Sequence, residues 1–304
     1  MTHFQPGLVH TPVTPFTHKL QIDFGLDEKL IEFHLRNGAQ ALAVQMHAGE
    51  SVSLTDAEQR KLLEFTIKQV KARVPVIAHV SDSGTAISAD RARYAEATGA
   101  AAVIATTPYY WTPPPAMLLE HFAQIGSAVK IPFYVFYAPD EMGGTKLSTE
   151  IVLKLIDRLP NFAGVADASL DWQFMINIVS NAWRVRPEFQ LLSGTEYMVS
   201  AGAVGATSML SSLAGVAPGL VRKLYDICRT EKYFDARKPQ EDIVALRQIV
   251  KRAGPGGLKG AMRAMRRDCG EPRPPLDALA AGSYEKLAAE LGALAALGAE
   301  PRGW

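Results

Sequence analysis

The stretch Phe133–Ala166, FYVFYAPDEMGGTKLSTEIVLKLIDRLPNFAGVA, holds the architecture in miniature. Phe133–Tyr137 is a short apolar and aromatic run that reads as a strand. Ile151, Val152, Leu155, Ile156 and Leu159 then recur at the spacing of one helix face, and Phe162–Ala166 reads as a second strand. Strand, helix and strand in this order predict a right-handed parallel βαβ unit. The alternation continues on both sides. Gly7–Thr11, Ala41–Met46, Pro75–Val80 and Ala101–Thr106 are candidate strands before it, and Phe189–Ser193 and Val204–Leu210 after it. Most are continuous apolar runs, as expected of strands covered on both faces. Leu62, Leu63, Thr66, Ile67 and Val70 form another helical stripe, with Thr55 and Glu58 as a capping box in front of it. Pro113–Pro115 suit the first turn of a further helix.

Strand–helix repeats of about 30 residues point to an α/β protein built as a (β/α)8 TIM barrel, typically ~250 residues long. We assign residues 1–213 to the barrel. Residues 214–304 form a C-terminal helical segment packed on it, with helices over Val221–Thr230, Asp242–Ala253, Leu258–Arg267 and Tyr284–Leu297. An open doubly wound sheet is the rival. It lacks support, because Gly7–Pro12 is no phosphate loop and Gly254-Pro255-Gly256-Gly257 follows a helical pattern and reads as a turn.

The 304 residues are 48% hydrophobic and 21% charged, which excludes global disorder. Thirty-two basic against 31 acidic residues leave a net charge of +1, so no field for a nucleic-acid backbone exists. Cys228 and Cys269 match neither a zinc nor a disulfide framework. The first twenty residues lack an apolar core, and the uncharged run Tyr197–Val221 is broken by Gly202, Gly205, Gly215, Pro218 and Gly219. Neither a signal peptide nor a membrane helix is expected, and the chain is read as cytoplasmic, without nucleic-acid or membrane partners.

Several segments resemble the dihydrodipicolinate synthase / N-acetylneuraminate lyase family. They are Thr14-Pro15-Phe16, Ala48-Gly49-Glu50 followed by Leu54-Thr55, and Arg73-Val74-Pro75-Val76-Ile77-Ala78. Pro108-Tyr109-Tyr110, Ile131-Pro132, Asn161-Phe162-Ala163-Gly164-Val165 and Ser193-Gly194 continue the series, which reaches Pro274-Pro275-Leu276. The resemblance implies a homodimer or homotetramer and a lyase or aldolase acting on a small oxo acid through a lysine imine. No separate cofactor is implied.

The residues depart from that chemistry. The family's imine-forming lysine falls on Ala166, which has no amine. The relay tyrosine of the family's Tyr-Asn-x-Pro turn falls on Phe136, and Tyr137 next to it would face the other side of the strand. The family's two threonines fall on His47 and Ala48, and its carboxylate-binding arginine falls on Glu141, a charge reversal. Tyr110 alone keeps its type; it matches a tyrosine that reaches a neighbouring subunit's site. The positions expected to line the substrate pocket are therefore His47, Ala48, Phe136, Glu141, Ala166 and Thr207, with Tyr110 and His47 as the catalytic candidates.

Other ionisable residues fall near strand ends: His79 and Asp82, Asp167, and Glu196. His47, His79, Asp82 and Asp167 are the speculative ligands of a divalent metal or members of an acid–base pair, although no metal motif links them. Polar rim residues bonded to backbone or water are the plainer reading of the same set. Lys146, in the loop after the fifth strand, is the alternative amine. His10 and His34 are read as surface or core histidines without a role. Arg263, Arg266 and Arg267 are read as a solvated helix face, and the resemblance makes Lys259 structural. Ordinary pyruvate-dependent activity is not expected. The rival functions are a metal- or acid–base-assisted lyase, hydratase or hydrolase in the same pocket, and a non-enzymatic small-molecule sensor or pseudoenzyme subunit.

Overall fold

The computed structural model describes residues 4–141 and 143–304. Strands and helices alternate in the order β1 (Leu8–His10), α1 (Phe24–Arg36), β2 (Ala41–Val44), α2 (Asp56–Val70), β3 (Val76–His79), α3 (Thr85–Thr98), β4 (Ala102–Thr106) and α4 (Pro115–Ser127). They continue as β5 (Phe133–Tyr137), α5 (Thr149–Arg158), β6 (Phe162–Asp167), α6 (Trp172–Val185), β7 (Gln190–Ser193), α7 (Met198–Ala203) and β8 (Ser208–Ser211). Helices α8 (Pro218–Arg229), α9 (Arg237–Arg252), α10 (Gly257–Ala264) and α11 (Ala281–Ala293) follow. The eight strands pair in chain order and close into a barrel, the (β/α)8 architecture that the alternation predicts. Thr55 caps α2 with Glu58 reciprocating, and α4 opens at Pro115, both as read from the sequence. The eighth strand is a correction. Val204 ends α7, Gly205 turns at φ +109°, and the strand begins only at Ser208.

Contacts divide the chain into two compact units. The first comprises Pro75–Leu210 and the N-terminal residues through Gly7. Its strands are oriented by one bond: the Tyr134 hydroxyl of β5 lies 3.2 Å from Gln190 Oε1 of β7. Strand β6 lies between these two, so the bond crosses the lumen. Alternation then fixes every other side chain. Phe133 packs on Phe122 of α4 and Tyr137 on Phe174 of α6, both outward. A register shift at the start of the β5–β6 pairing sets Tyr134 beside Gly164, and a Cβ there would overlap the Gln190 carbonyl. Only glycine fits that approach.

The second unit comprises Leu8–Val74 and Ser211–Trp304, and it buries several ionisable side chains. His10 and His34 are not surface residues. They are fully buried and paired Nδ1 to Nδ1 at 3.0 Å; burial lowers His10 to about 3 and His34 well below the ordinary imidazole value. Both rings are therefore neutral, one donating and one accepting. Asp27 takes a place on the apolar stripe of α1 beside Leu30, Ile31 and His34, and burial raises its carboxyl to about 7. Lys259 is buried and structural: its ammonium lies 2.6 Å from Glu50 and 4.2 Å from the centre of the Phe16 ring. Arg273 also lies over Phe16, donates its backbone N–H to Glu50 and grips Glu58 with two bonds of 2.9 Å. That guanidinium holds the Glu58 carboxyl down at about 2.

The solvated arginine face is corrected at one position. Arg263 and Arg266 are exposed, but Arg267 is wholly buried. Helix α10 stops at Ala264 and Arg266 turns left-handed at φ +63°, so the helical spacing no longer applies at residue 267. The Arg267 guanidinium donates to the carbonyls of Gly215, Val216, Pro301 and Gly303 at 2.7–3.1 Å and stacks over Phe33. An unmade buried hydrogen bond costs roughly 1–3 kcal/mol. We expect Arg267→Met to lose at least about 3 kcal/mol of stability, read as a lower urea midpoint at unchanged m-value.

Candidate active site

Sites of this architecture form at the carboxyl ends of the strands. In the first unit, strand pairing brings together a defined lumenal layer there. Thr106 pairs with Phe136, Phe136 with Ala166, and Ala166 with Leu192. All four share the parity of Tyr134 and Gln190, so they face inward. Phe136, Ala166 and Leu192 are buried and apolar, and Ala166 presents only a methyl group where β6 ends.

His79 ends β3 on the same face, since it pairs with Ile104, which pairs with the lumenal Tyr134. Its Nε2 stands 2.6 Å from the Ser81 hydroxyl. Ser81 also accepts the Thr106 backbone N–H at 2.7 Å, closing a polar corner between β3 and β4. Thr106 is 1% exposed, and its hydroxyl has no hydrogen-bond partner among the described residues.

Asp167 is the neighbour of Ala166 but shares the outward face of Tyr137 and pairs with Ser193. Its carboxylate holds the turn into α6. The Ser169 hydroxyl lies 2.9 and 3.1 Å from its two oxygens, and the Ser169 and Leu170 backbones also donate to it. Burial is the stronger influence and raises Asp167 to about 7. Gly194 passes so close to the Asp167 backbone that a Cβ would not fit, and its N–H bonds the Asp167 carbonyl at 2.6 Å.

The remaining candidates scatter. Asp82 accepts the Gly84 N–H at 2.8 Å and lies 3.4 Å from Arg91, the pattern of a loop cap. Tyr110 is 90% exposed, with Tyr109 and Trp111 less so. Glu141 and Lys146 are exposed in the loop after β5. Glu196 is buried between β7 and α7. In the second unit, His47 and Ala48 form the short 3-10 turn after β2, with His47 exposed. Thr207 precedes β8 and donates its N–H to Leu191; the next residue, Ser208, pairs with Leu192. The speculative metal set is likewise not assembled. Among the described residues no three His, Cys, Asp or Glu side chains come together to hold an ion. Asp167 faces away from the lumen that His79 enters, which alone divides that set.

Sequence reasoning missed Thr106, Ser81 and Leu192. Counting in twos from Ala166 across the paired strands would have reached Thr106 and Leu192. Nothing in the sequence marks Ser81, whose place depends on how the chain leaves β3.

The Dihydrodipicolinate synthetase family model matches residues 5–294. The 4-hydroxy-tetrahydrodipicolinate synthase of Methanopyrus kandleri is 31% identical over 94% of this chain and 95% of its own length. That of Bacillus subtilis is 30% identical over 87% and 90%. Among solved structures, dihydrodipicolinate synthase of Thermotoga maritima superposes with a TM-score of 0.90 at 25% identity, covering 97% of this chain and 100% of that one. The Aquifex aeolicus enzyme gives 0.88 at 27% identity, over 95% and 97%.

Asp167 supplies a test of its outward role. The folded state keeps its proton to about pH 7, whereas an unfolded aspartate releases it near 3.8. Its contribution to stability is therefore full below 3.8 and is lost as pH rises through 7. We expect Asp167→Asn to lose less stability than the native chain between pH 5 and pH 8, by urea unfolding at the two values.

Proposed function

The chain belongs to the dihydrodipicolinate synthetase family, and from that premise we propose a lyase-class protein that takes a small oxo or carboxylic acid without forming a lysine imine. The observation that carries this is the lumenal position at the end of β6, which is Ala166 between Phe136 and Leu192. An imine needs an amine that reaches the carbonyl carbon, and the lumenal layer of β4–β7 offers a hydroxyl, a phenyl ring, a methyl and an isobutyl group. Lys146 is exposed in its loop, and the ammonium of Lys259 is held by Glu50. Phe136 also lacks the hydroxyl that a proton relay needs, and Glu141 carries the wrong sign to receive a carboxylate.

Acid–base assistance is favoured over metal assistance as the remaining chemistry. His79 is a titratable group on the lumenal face of β3, whereas the described residues present no metal-binding cluster. A sensor that binds without turnover differs from this reading in one observable, stoichiometric binding with no product. Self-association into a homodimer or homotetramer through the exposed Tyr109–Trp111 aromatics completes the proposal. Light scattering at micromolar protein tests it, and a monomer would refute it.

Pyruvate with borohydride tests the central claim. We expect no covalent adduct by intact mass and no pyruvate-dependent condensation. Ala166→Lys alone should restore neither, because Phe136 and Glu141 remain. A reduced adduct on the native chain, mapped to Lys146 or any other lysine, would overturn the reading.

A further inference from the structure

The polar corner of β3 and β4 has a feature that the imine-free reading leaves unused. Thr106 Oγ1 is a buried hydroxyl on the lumenal face with no partner among the described residues. Buried hydroxyls are seldom left so, and this one is open to a partner from outside the chain. Beside it, Ser81 Oγ already accepts the Thr106 N–H. With its ring hydrogen on Nε2, His79 donates to the same oxygen across the 2.6 Å contact. Both lone pairs of Ser81 are then used, and its hydrogen is free to donate. Two neighbouring hydroxyl donors form an acceptor-seeking pair. Across the layer, Phe136, Ala166 and Leu192 are apolar, and alanine at 166 contributes only a methyl group.

We propose that this corner is a carboxylate site, in which the Ser81 and Thr106 hydroxyls receive the carboxylate of a small acid whose apolar tail lies against Phe136, Ala166 and Leu192. The inference rests on the imine-free reading of the same lumen and names its ligand class: a monocarboxylate with a branched or aromatic tail, rather than pyruvate. The carboxylate is bound on the β3–β4 side, away from the loop that carries Glu141. His79 positions the Ser81 hydrogen, and no bond is made or broken.

Calorimetric titration of the full chain with 4-methyl-2-oxopentanoate, pyruvate and 4-methyl-2-pentanone tests this. We expect the branched oxo acid to bind at least tenfold more tightly than pyruvate, and the ketone, which lacks the carboxylate, not to bind. Thr106→Val removes a hydroxyl that no protein group uses, so it should keep the melting temperature and weaken the branched acid at least tenfold. His79→Gln should weaken it similarly, and in the native chain the His79 ring resonances should move on binding. Equal affinity in Thr106→Val, equal affinity for the ketone, or no binding of the branched acid would each overturn the proposal. Borohydride separates the two readings. A trapped adduct overturns the imine-free reading and leaves the hydroxyl pair standing. Absence of both adduct and binding overturns the carboxylate site alone.

Discussion

The hydrogen bond from Tyr134 to Gln190 across the lumen is the constraint on which the site depends. Beyond the register shift at the start of β6, strand side chains alternate, so one bond between non-adjacent strands assigns their neighbours to the lumen or to the helices. It makes Phe136, Ala166, Leu192 and Thr106 one layer, and it turns Tyr137, Asp167 and Ser193 outward. A shift of one residue in β6 would place a carboxylate where a methyl group now stands. The Gly164 approach to the Gln190 backbone opposes that shift, because no residue with a Cβ fits beside that carbonyl.

The second unit solves a different problem, that of keeping polar side chains inside. Arg267 has no carboxylate among its four hydrogen-bond partners, which are backbone carbonyls, and the aromatic face of Phe33 covers the guanidinium. Desolvation lowers it to about 10, still far above neutrality, so the charge persists. Lys259 is treated otherwise: it has Glu50 as a counter-charge, and Phe16 lies against both it and Arg273. Two cations on one ring are tolerable because Glu50 and Glu58 neutralise them from the other side. Asp27 has no such partner and is accommodated by holding its proton.

The barrel was legible because each strand is a covered apolar run and each helix between shows a face, so period and order survive in the sequence. Element ends were less so: Val204 is β-branched and apolar yet ends a helix, since Gly205 breaks the chain before the strand starts. The residue types at Ala166, Phe136 and Glu141 were also legible. What the sequence could not supply was direction. Asp167 looked like an active-site carboxylate because it adjoins Ala166, and only strand pairing shows that adjacency in sequence means opposite faces. Arg267 reads as solvated only if the helical spacing is carried past Ala264, where the helix ends, and through the left-handed Arg266.

Thr106 shows the complementary limit. A threonine near the end of an apolar strand is ordinary, and β-branched residues favour strands whatever their side-chain oxygen does. Its hydroxyl becomes informative only when the structure shows it buried on the lumenal face without a partner among the described residues. Ser81 is occupied by the Thr106 N–H and by His79, and the neighbours in the layer are carbon. An amine at position 166 would have reached into this space and made the hydroxyl's role ambiguous. With alanine there, the β3–β4 corner is the polar part of an otherwise apolar layer.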